Sequence, residues 1–267
     1  MTQRIADCIN ILGRFCGRRD IPDLNAEELE RKYNISQVDV MVLFGGSIIC
    51  GGDVLANAIK NNIAKKYIIV GGAGHTTETL RIKMNGEFPS VETNGLSEAE
   101  IFANYLKYKY GLEADYLECN STNCGNNITF LLDLLKQNNI SFNSIILAQD
   151  ATMQYRMEAG LRKYLNDNTI IINYAVYSAK VIVKNLDFIF EDRILGMWDI
   201  DRYINLLMGE IPRLSDNEEG YGPKGKGFIA HVNIPNEVEK AFLELKEVYS
   251  DMVREANPLY SSLNSRL

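Results

Sequence analysis

Histidine is scarce in this chain, with two residues in 267. The five cysteines, Cys8, Cys16, Cys50, Cys119 and Cys124, are odd in number and contain no Cys-x-x-Cys pair. These scarcities argue against a disulfide framework and against a structural zinc site. Long runs of Lys and Arg are missing too, and the net charge is −7 with a pI near 5.1. Binding to nucleic acid needs a concentrated basic patch, so no nucleic-acid partner is expected. The apolar runs fall well short of the roughly 20 residues that span a bilayer as a helix, so no membrane span is expected. The N-terminal stretch is interrupted by Asp7, Asn10 and Arg14 and lacks the apolar core and cleavage site of a secretory signal. It reads as an amphipathic helix, and the expected location is cytoplasmic.

An apolar fraction of 46% is enough for one large core, or for a core with a smaller attached lobe. Four times, an apolar run of strand character stops at a small, polar or glycine-rich turn before a helical pattern. These junctions are VMVLFGGS, YIIVGGAGHTTETLR, YLECNSTNCGNN and IILAQDATMQYR. Strands are expected over 38–44, 67–70, 115–118, 144–148 and 170–175. The first is apolar at almost every position, as in a strand covered on both faces. Helices are expected over 1–20, 23–33, 53–65, 97–110, 125–136, 153–164, 198–208 and 235–255. Asn25 is a candidate N-cap. Ser97 with Glu100 forms a capping box, and Gly111 stops that helix. Residues 71–96 read as a long polar loop. Strands separated by helices imply right-handed crossovers and a parallel sheet. The expectation is an α/β, Rossmann-like domain over 1–177 with flanking helices, and a smaller, mainly helical C-terminal lobe over 178–267.

In such a sheet the carboxyl ends of the strands share one edge, where ligands bind. Gly45, Gly46 and Ser47 lie there after the first strand. Gly71, Gly72, Gly74, His75 and Thr76 follow the second. Glycines there let backbone N–H groups approach an anion, or merely permit a sharp turn. The segment is neither a GxGxxG fingerprint nor a Walker loop. Ser121, Thr122, Asn123 and Asn126 open a helix, whose N-terminus suits an anionic group. One of them would serve as the cap, so the surplus points to a ligand. Asp150 could hold ribose hydroxyls or act as a base, or simply lie at a helix start. Arg81 and Arg156 could grip a carboxylate or phosphate, or lie on the surface. Glu100 is accounted for by its capping box; Glu98 is not, which makes it the more informative carboxylate. Cys119 or Cys124 could be a nucleophile, or each a small buried hydrophobe. The loop from Gly220 to Gly227 offers Tyr221 for stacking and Lys224 and Lys226 for an anion, as a closing flap or as a plain linker before a strand-like 228–233.

The segments VGGAGHTTETL, GLSEAEIFANY, ECNSTNCGNN, AQDATMQYRMEAGLR and WDIDRYINLLMGEIPRLSDNEEGYGPKGKGFIAHVNIP resemble the bacterial YdcF family. They are similar, more weakly, to the wider family of unknown function that includes the SanA and ElyC envelope proteins. The resemblance runs over most of the chain. It implies a Rossmann-like domain with a smaller C-terminal part and binding of S-adenosyl-L-methionine, with no established reaction. The shared pattern lands on Gly71, Gly72, Ser97, Glu98, Ser121, Thr122, Asn123, Asn126 and Arg156. Where the wider family often carries a histidine in the last turn, this chain has Met153 and Gln154.

Three functions follow as alternatives. The first is a binding protein or transferase for S-adenosyl-L-methionine or a related nucleotide-like small molecule. The second is a hydrolase acting on a phosphorylated or envelope-precursor substrate, with His75, Glu98 or Asp150 as acid or base. The third is a non-catalytic interaction protein. No metal requirement is expected.

Overall fold

Val38–Phe44 (β1) is apolar at every position but Asp39, and six of its seven residues are buried. Side chains alternate across a strand, and here both faces are covered. Met41 and Leu43 join one hydrophobic core, and Val40, Val42 and Phe44 join another. The computed structural model describes residues 2–249. Around β1 lie Ala64–Val70 (β2), Tyr116–Glu118 (β3), Ser144–Ala148 (β4) and Ile170–Asn173 (β5). They form one sheet in the order β3-β2-β1-β4-β5, with every neighbouring pair parallel. The chain steps outward from β1 through β2 to β3. It then crosses to the other side of β1 for β4 and β5. The crossovers diverge between β1 and β4, which opens a crevice at their carboxyl ends.

The amino ends are pinned by Asp39. Its carboxylate accepts from the Asn143 and Ser144 backbone N–H groups at 2.8 and 3.1 Å and from Lys65 Nζ at 2.7 Å. These contacts tie β1 to its neighbours on both sides.

The helices are Thr2–Cys16 (α1), Ala26–Tyr33 (α2), Cys50–Lys60 (α3), Thr77–Glu87 (α4), Glu98–Tyr110 (α5), Cys124–Gln137 (α6), Gln154–Arg162 (α7), Ile200–Leu214 (α8) and Asn236–Val248 (α9). One face of the sheet is covered by α6 and α7, which supply Ile128, Leu131, Leu135, Met157 and Leu161. The other core draws on α1, α3, α5, α8 and α9, so residues after position 178 share it with the sheet. The first and last described helices also meet directly. Arg4 of α1 makes a two-pronged contact with Glu244 of α9, at 2.7 and 2.6 Å.

Local chemistry sets the helix ends. Asn25 caps α2 by accepting the Glu28 N–H at 2.9 Å. Ser97 and Glu100 form the full capping box of α5, and Gly111 ends it at φ 65°.

Five segments differ in detail from expectation. Residues 71–96 are not one loop but contain α4, which buries only Thr77, Leu80 and Met84 and so leaves a thin apolar signature. The helix expected over 53–65 runs from Cys50 to Lys60, and Asn62 at φ 51° turns the chain so that Ile63 and Ala64 lead into β2. The part after 178 contains an antiparallel hairpin, Val181–Lys184 (β6) with Asp187–Phe190 (β7). Asn185 and Leu186 both take positive φ at its turn, and no glycine advertises it. Residues 228–233 form no strand; Phe228 and Ile229 donate to the Tyr221 carbonyl and Ala230 to that of Ala159. The helix expected to start at Trp198 begins at Ile200 and continues through Pro212 to Leu214. Residues 250–255 of the expected last helix lie outside the described residues. Among the described residues, no helix is long and apolar enough to cross a membrane.

Candidate functional site at the carboxyl edge of the sheet

At the ends of β1 and β2 the backbone closes around Glu98, the first residue of α5. The Glu98 and Ala99 N–H groups donate to the Gly72 and Gly71 carbonyls at 3.1 and 2.8 Å, docking the helix N-terminus on the strand end. The Glu98 side chain turns inward and is 7% exposed. Its Oε1 accepts the Thr76 and Thr77 hydroxyls at 2.6 and 3.0 Å. Its Oε2 lies against Gly45, where a β-carbon would come within 2.7 Å of it. Gly45 is therefore set by the approach of a carboxylate. Burial pushes the Glu98 carboxyl above the usual carboxylate range, against the pull of the two hydroxyls and Arg81. His75 is exposed on the preceding loop. Arg81 donates to the Thr93 and Leu96 carbonyls and pairs with Glu78, which fixes the loop before α5.

The polar cluster after β3 is used within the fold. Ser121 Oγ accepts the Gly72 N–H at 3.1 Å, linking the β2 and β3 turns. Asn123 caps α6 by accepting the Asn126 N–H at 3.0 Å. Thr122 Oγ1 and Asn123 Nδ2 both donate to Asn126 Oδ1, at 3.1 and 2.8 Å. The Glu118 carboxylate accepts the Asn120 and Ser121 N–H groups. The surplus of hydroxyls and amides is thus a turn network, and Glu118 belongs to it although the sequence did not single it out.

The crevice between β1 and β4 is different. Ser47 and Gln149, 0% and 1% exposed, each hold a buried polar atom with no hydrogen-bond partner: Ser47 Oγ and Gln149 Nε2. Gln149 Oε1 is engaged by the Asp150 N–H at 2.6 Å. Asp150 is buried and shared between two sets of donors. Its Oδ1 accepts from Thr152 N–H at 2.9 Å, Thr152 Oγ1 at 3.0 Å and Tyr177 OH at 2.6 Å. Burial and the Asp150 charge push the Tyr177 phenol well above its ordinary pKa, so it stays a donor. Asp150 Oδ2 accepts from Trp198 Nε1 at 2.8 Å.

Trp198 belongs to the connection 191–199 between β7 and α8, which straps across this edge. Leu195 accepts the Cys50 N–H at 3.1 Å. Gly196, at φ 77°, lies so close that a β-carbon there would meet the Ile49 nitrogen at 2.5 Å. The crevice, lined by Phe44, Gly46, Ile48, Phe102, Gln149 and Asp150 among others, encloses only about 10 Å³. That is room for about one water molecule. Its lining places the Asp150 carboxylate and the Gln149 amide between apolar walls, with Ser47 next to its lining residues Gly46 and Ile48 in the chain.

Other expected site residues lie apart from this crevice. Arg156 is engaged by Glu210 of α8 in a buried two-pronged pair at 2.6 and 3.0 Å. Tyr221 packs edge-on against Phe228, with ring centroids 5.2 Å apart, and Lys226 Nζ is 5.3 Å from its ring. The glycine-rich loop is self-supporting: Lys226 N–H donates to the Gly220 carbonyl, Gly222 N–H to that of Ser215, and Asp216 accepts the Lys224 N–H at 2.7 Å. The other histidine, His231, pairs with that same Asp216 at 2.7 Å. Burial raises the Cys119 thiol above its ordinary pKa, which disfavours the nucleophilic thiolate. Glu118, Tyr177, Trp198 and Glu210 escaped sequence reasoning because their partners lie 2–54 positions away, with no periodicity to join them. No protein-family model matches the chain.

Proposed function

We propose that this chain is a YdcF-like protein that binds a nucleotide-like small molecule, with S-adenosyl-L-methionine as the first candidate, at the crevice between β1 and β4. It acts there as a binding protein or a transferase. The observation that carries this reading is the pair of unpartnered buried atoms, Ser47 Oγ and Gln149 Nε2. Leaving a buried polar group unsatisfied costs roughly 1–3 kcal/mol. Two such groups at a Rossmann switch point, beside a carboxylate, are accounted for by a ligand that satisfies them. Mass spectrometry of small molecules released from the purified, undenatured protein tests it, followed by calorimetry with S-adenosyl-L-methionine. No adenosyl compound carried, and no heat at up to about 1 mM ligand, would remove the assignment.

One observation favours hydrolysis as a second reading. Glu98 is a buried carboxyl whose pKa is raised, as a general acid requires. A screen of phosphate esters with and without divalent cations distinguishes the two; turnover abolished in Glu98→Gln supports the hydrolase.

A further inference from the structure

Beside the crevice, between α4 and the strap, lies a cavity of about 430 Å³ lined by Lys83, Gly86 and Glu87 and by residues 193–197. That volume is within the range of small-molecule sites. Lys83 faces it and also touches the strap. Its Nζ donates to the Gly196 carbonyl at 2.7 Å and stands 4.3 Å from the Trp198 ring. Its ammonium is half-buried yet in ion-pair contact with no carboxylate among the described residues. Burial lowers its pKa, while the more distant Asp150 and Asp199 hold it up. The second cation at the cavity, Arg193, is exposed and already paired with Glu87 at 3.1 Å.

Trp198 links Lys83, which lines this cavity, to Asp150, which lines the crevice. The fixed donors Thr152 and Tyr177 all bind Oδ1, so Oδ2 has the strap's indole as its partner. Moving the strap would release two groups together: Asp150 Oδ2, whose residue lines the crevice beside Gln149, and Lys83. We propose that the cavity and the crevice are two halves of one site, joined when the 191–199 strap lifts. In it, Lys83 binds the anionic group of the ligand while Asp150 Oδ2 exchanges the Trp198 N–H for a ligand hydroxyl. The ligand class is a small hydroxylated molecule bearing a carboxylate or phosphate. This deepens the small-molecule reading of the crevice and, for its Lys83 part, rests on it.

The chain has one tryptophan, and Trp198→Phe removes the Nε1 donor while keeping a ring for Lys83. Amide hydrogen exchange without ligand reads the latch. Residues 191–199 and the Cys50 amide should exchange about fivefold faster in Trp198→Phe, the value of one hydrogen bond in an opening equilibrium, with β1 and β4 unchanged. Equal rates in both proteins would overturn the strap as a latched element. Calorimetry then compares S-adenosyl-L-methionine, which carries a carboxylate, with adenosine, which does not. Lys83→Met should weaken the first about tenfold, as loss of a charge-assisted contact does, and leave the second unchanged. Equal weakening of both, or of neither, overturns the Lys83 assignment. If the parent protein binds neither probe, the small-molecule reading fails and takes Lys83 with it, while the exchange result still decides the latch.

Discussion

Arg156 of α7 and Glu210 of α8 meet through two parallel hydrogen bonds, Nε to Oε2 at 2.6 Å and a terminal nitrogen to Oε1 at 3.0 Å, with Glu210 3% exposed. The pair joins the sheet's last crossover to the C-terminal helices. An arginine fork matches a carboxylate in this way whether the carboxylate belongs to a ligand or to the protein. Here the protein supplies it.

Removing one partner of this pair leaves a buried charge alone. Arg156→Met should therefore destabilise the protein by about 3–5 kcal/mol, lowering Tm by about 10 °C. The double variant Arg156→Met, Glu210→Leu should recover most of that loss, because no charge is then stranded. Thermal unfolding followed by circular dichroism checks both. A single variant as stable as the parent would show that the pair contributes nothing to holding α7 against α8.

Glu98 should give the protein a pH-dependent stability. Its folded pKa is raised above the ordinary 4.5, chiefly by burial. Its contribution is therefore fully present below the unfolded pKa and is lost as pH rises through the folded one. Glu98→Gln keeps an oxygen for Thr76 and Thr77 but carries no charge. The stability difference between variant and parent should move in the variant's favour as pH climbs from about 4.5 toward neutrality. Urea unfolding at several pH values in that window measures it, and a difference independent of pH would show that the carboxyl titrates normally.

Gly45 and Glu98 should be energetically coupled. A β-carbon at Gly45 would sit 2.7 Å from Glu98 Oε2 and 2.8 Å from its β-carbon, so Gly45→Ala should cost about 1–3 kcal/mol through overpacking. In a Glu98→Ala background the same substitution should cost much less. A double-mutant cycle by chemical denaturation gives the coupling; strict additivity would place the strain of Gly45→Ala elsewhere.

The sheet was legible because each strand carries its own signal. Val38–Phe44 is continuously apolar, and the Ser97–Glu100 box and Gly111 bracket α5 within the sequence itself. The hairpin at Asn185-Leu186 was not, since Leu186 stands at positive φ where a glycine would normally mark such a turn. The site divides the same way. Chain order places Ser47, Glu98 and Asp150 on one edge, but which polar groups are already used depends on contacts from afar. Asn126 and Ser121 turn out to be occupied by neighbouring turns, and Arg156 by Glu210. Trp198 comes to Asp150 from 48 positions away, through a connection with no motif. A residue type announces what a side chain can bind; only packing decides whether the protein has already bound it.

The unpartnered Ser47 hydroxyl makes the sharpest division between fold and function. A buried hydroxyl without a partner works against stability, so Ser47→Ala should leave the protein as stable as the parent or more stable by up to about 1–3 kcal/mol. If a ligand completes that hydroxyl, the same variant should bind it about fivefold less tightly, the worth of one net hydrogen bond. Gln149 supplies the contrast. Its Oε1 accepts the Asp150 N–H at 2.6 Å while its Nε2 is unpartnered. Gln149→Met therefore removes a bond the fold uses along with one it does not, and should lose both stability and ligand affinity. Denaturation and calorimetry on the two variants form a matched pair. Stability lost in Ser47→Ala by more than about 1 kcal/mol would mean that the hydroxyl serves the fold, and the crevice would lose one of the two groups that mark it as a site.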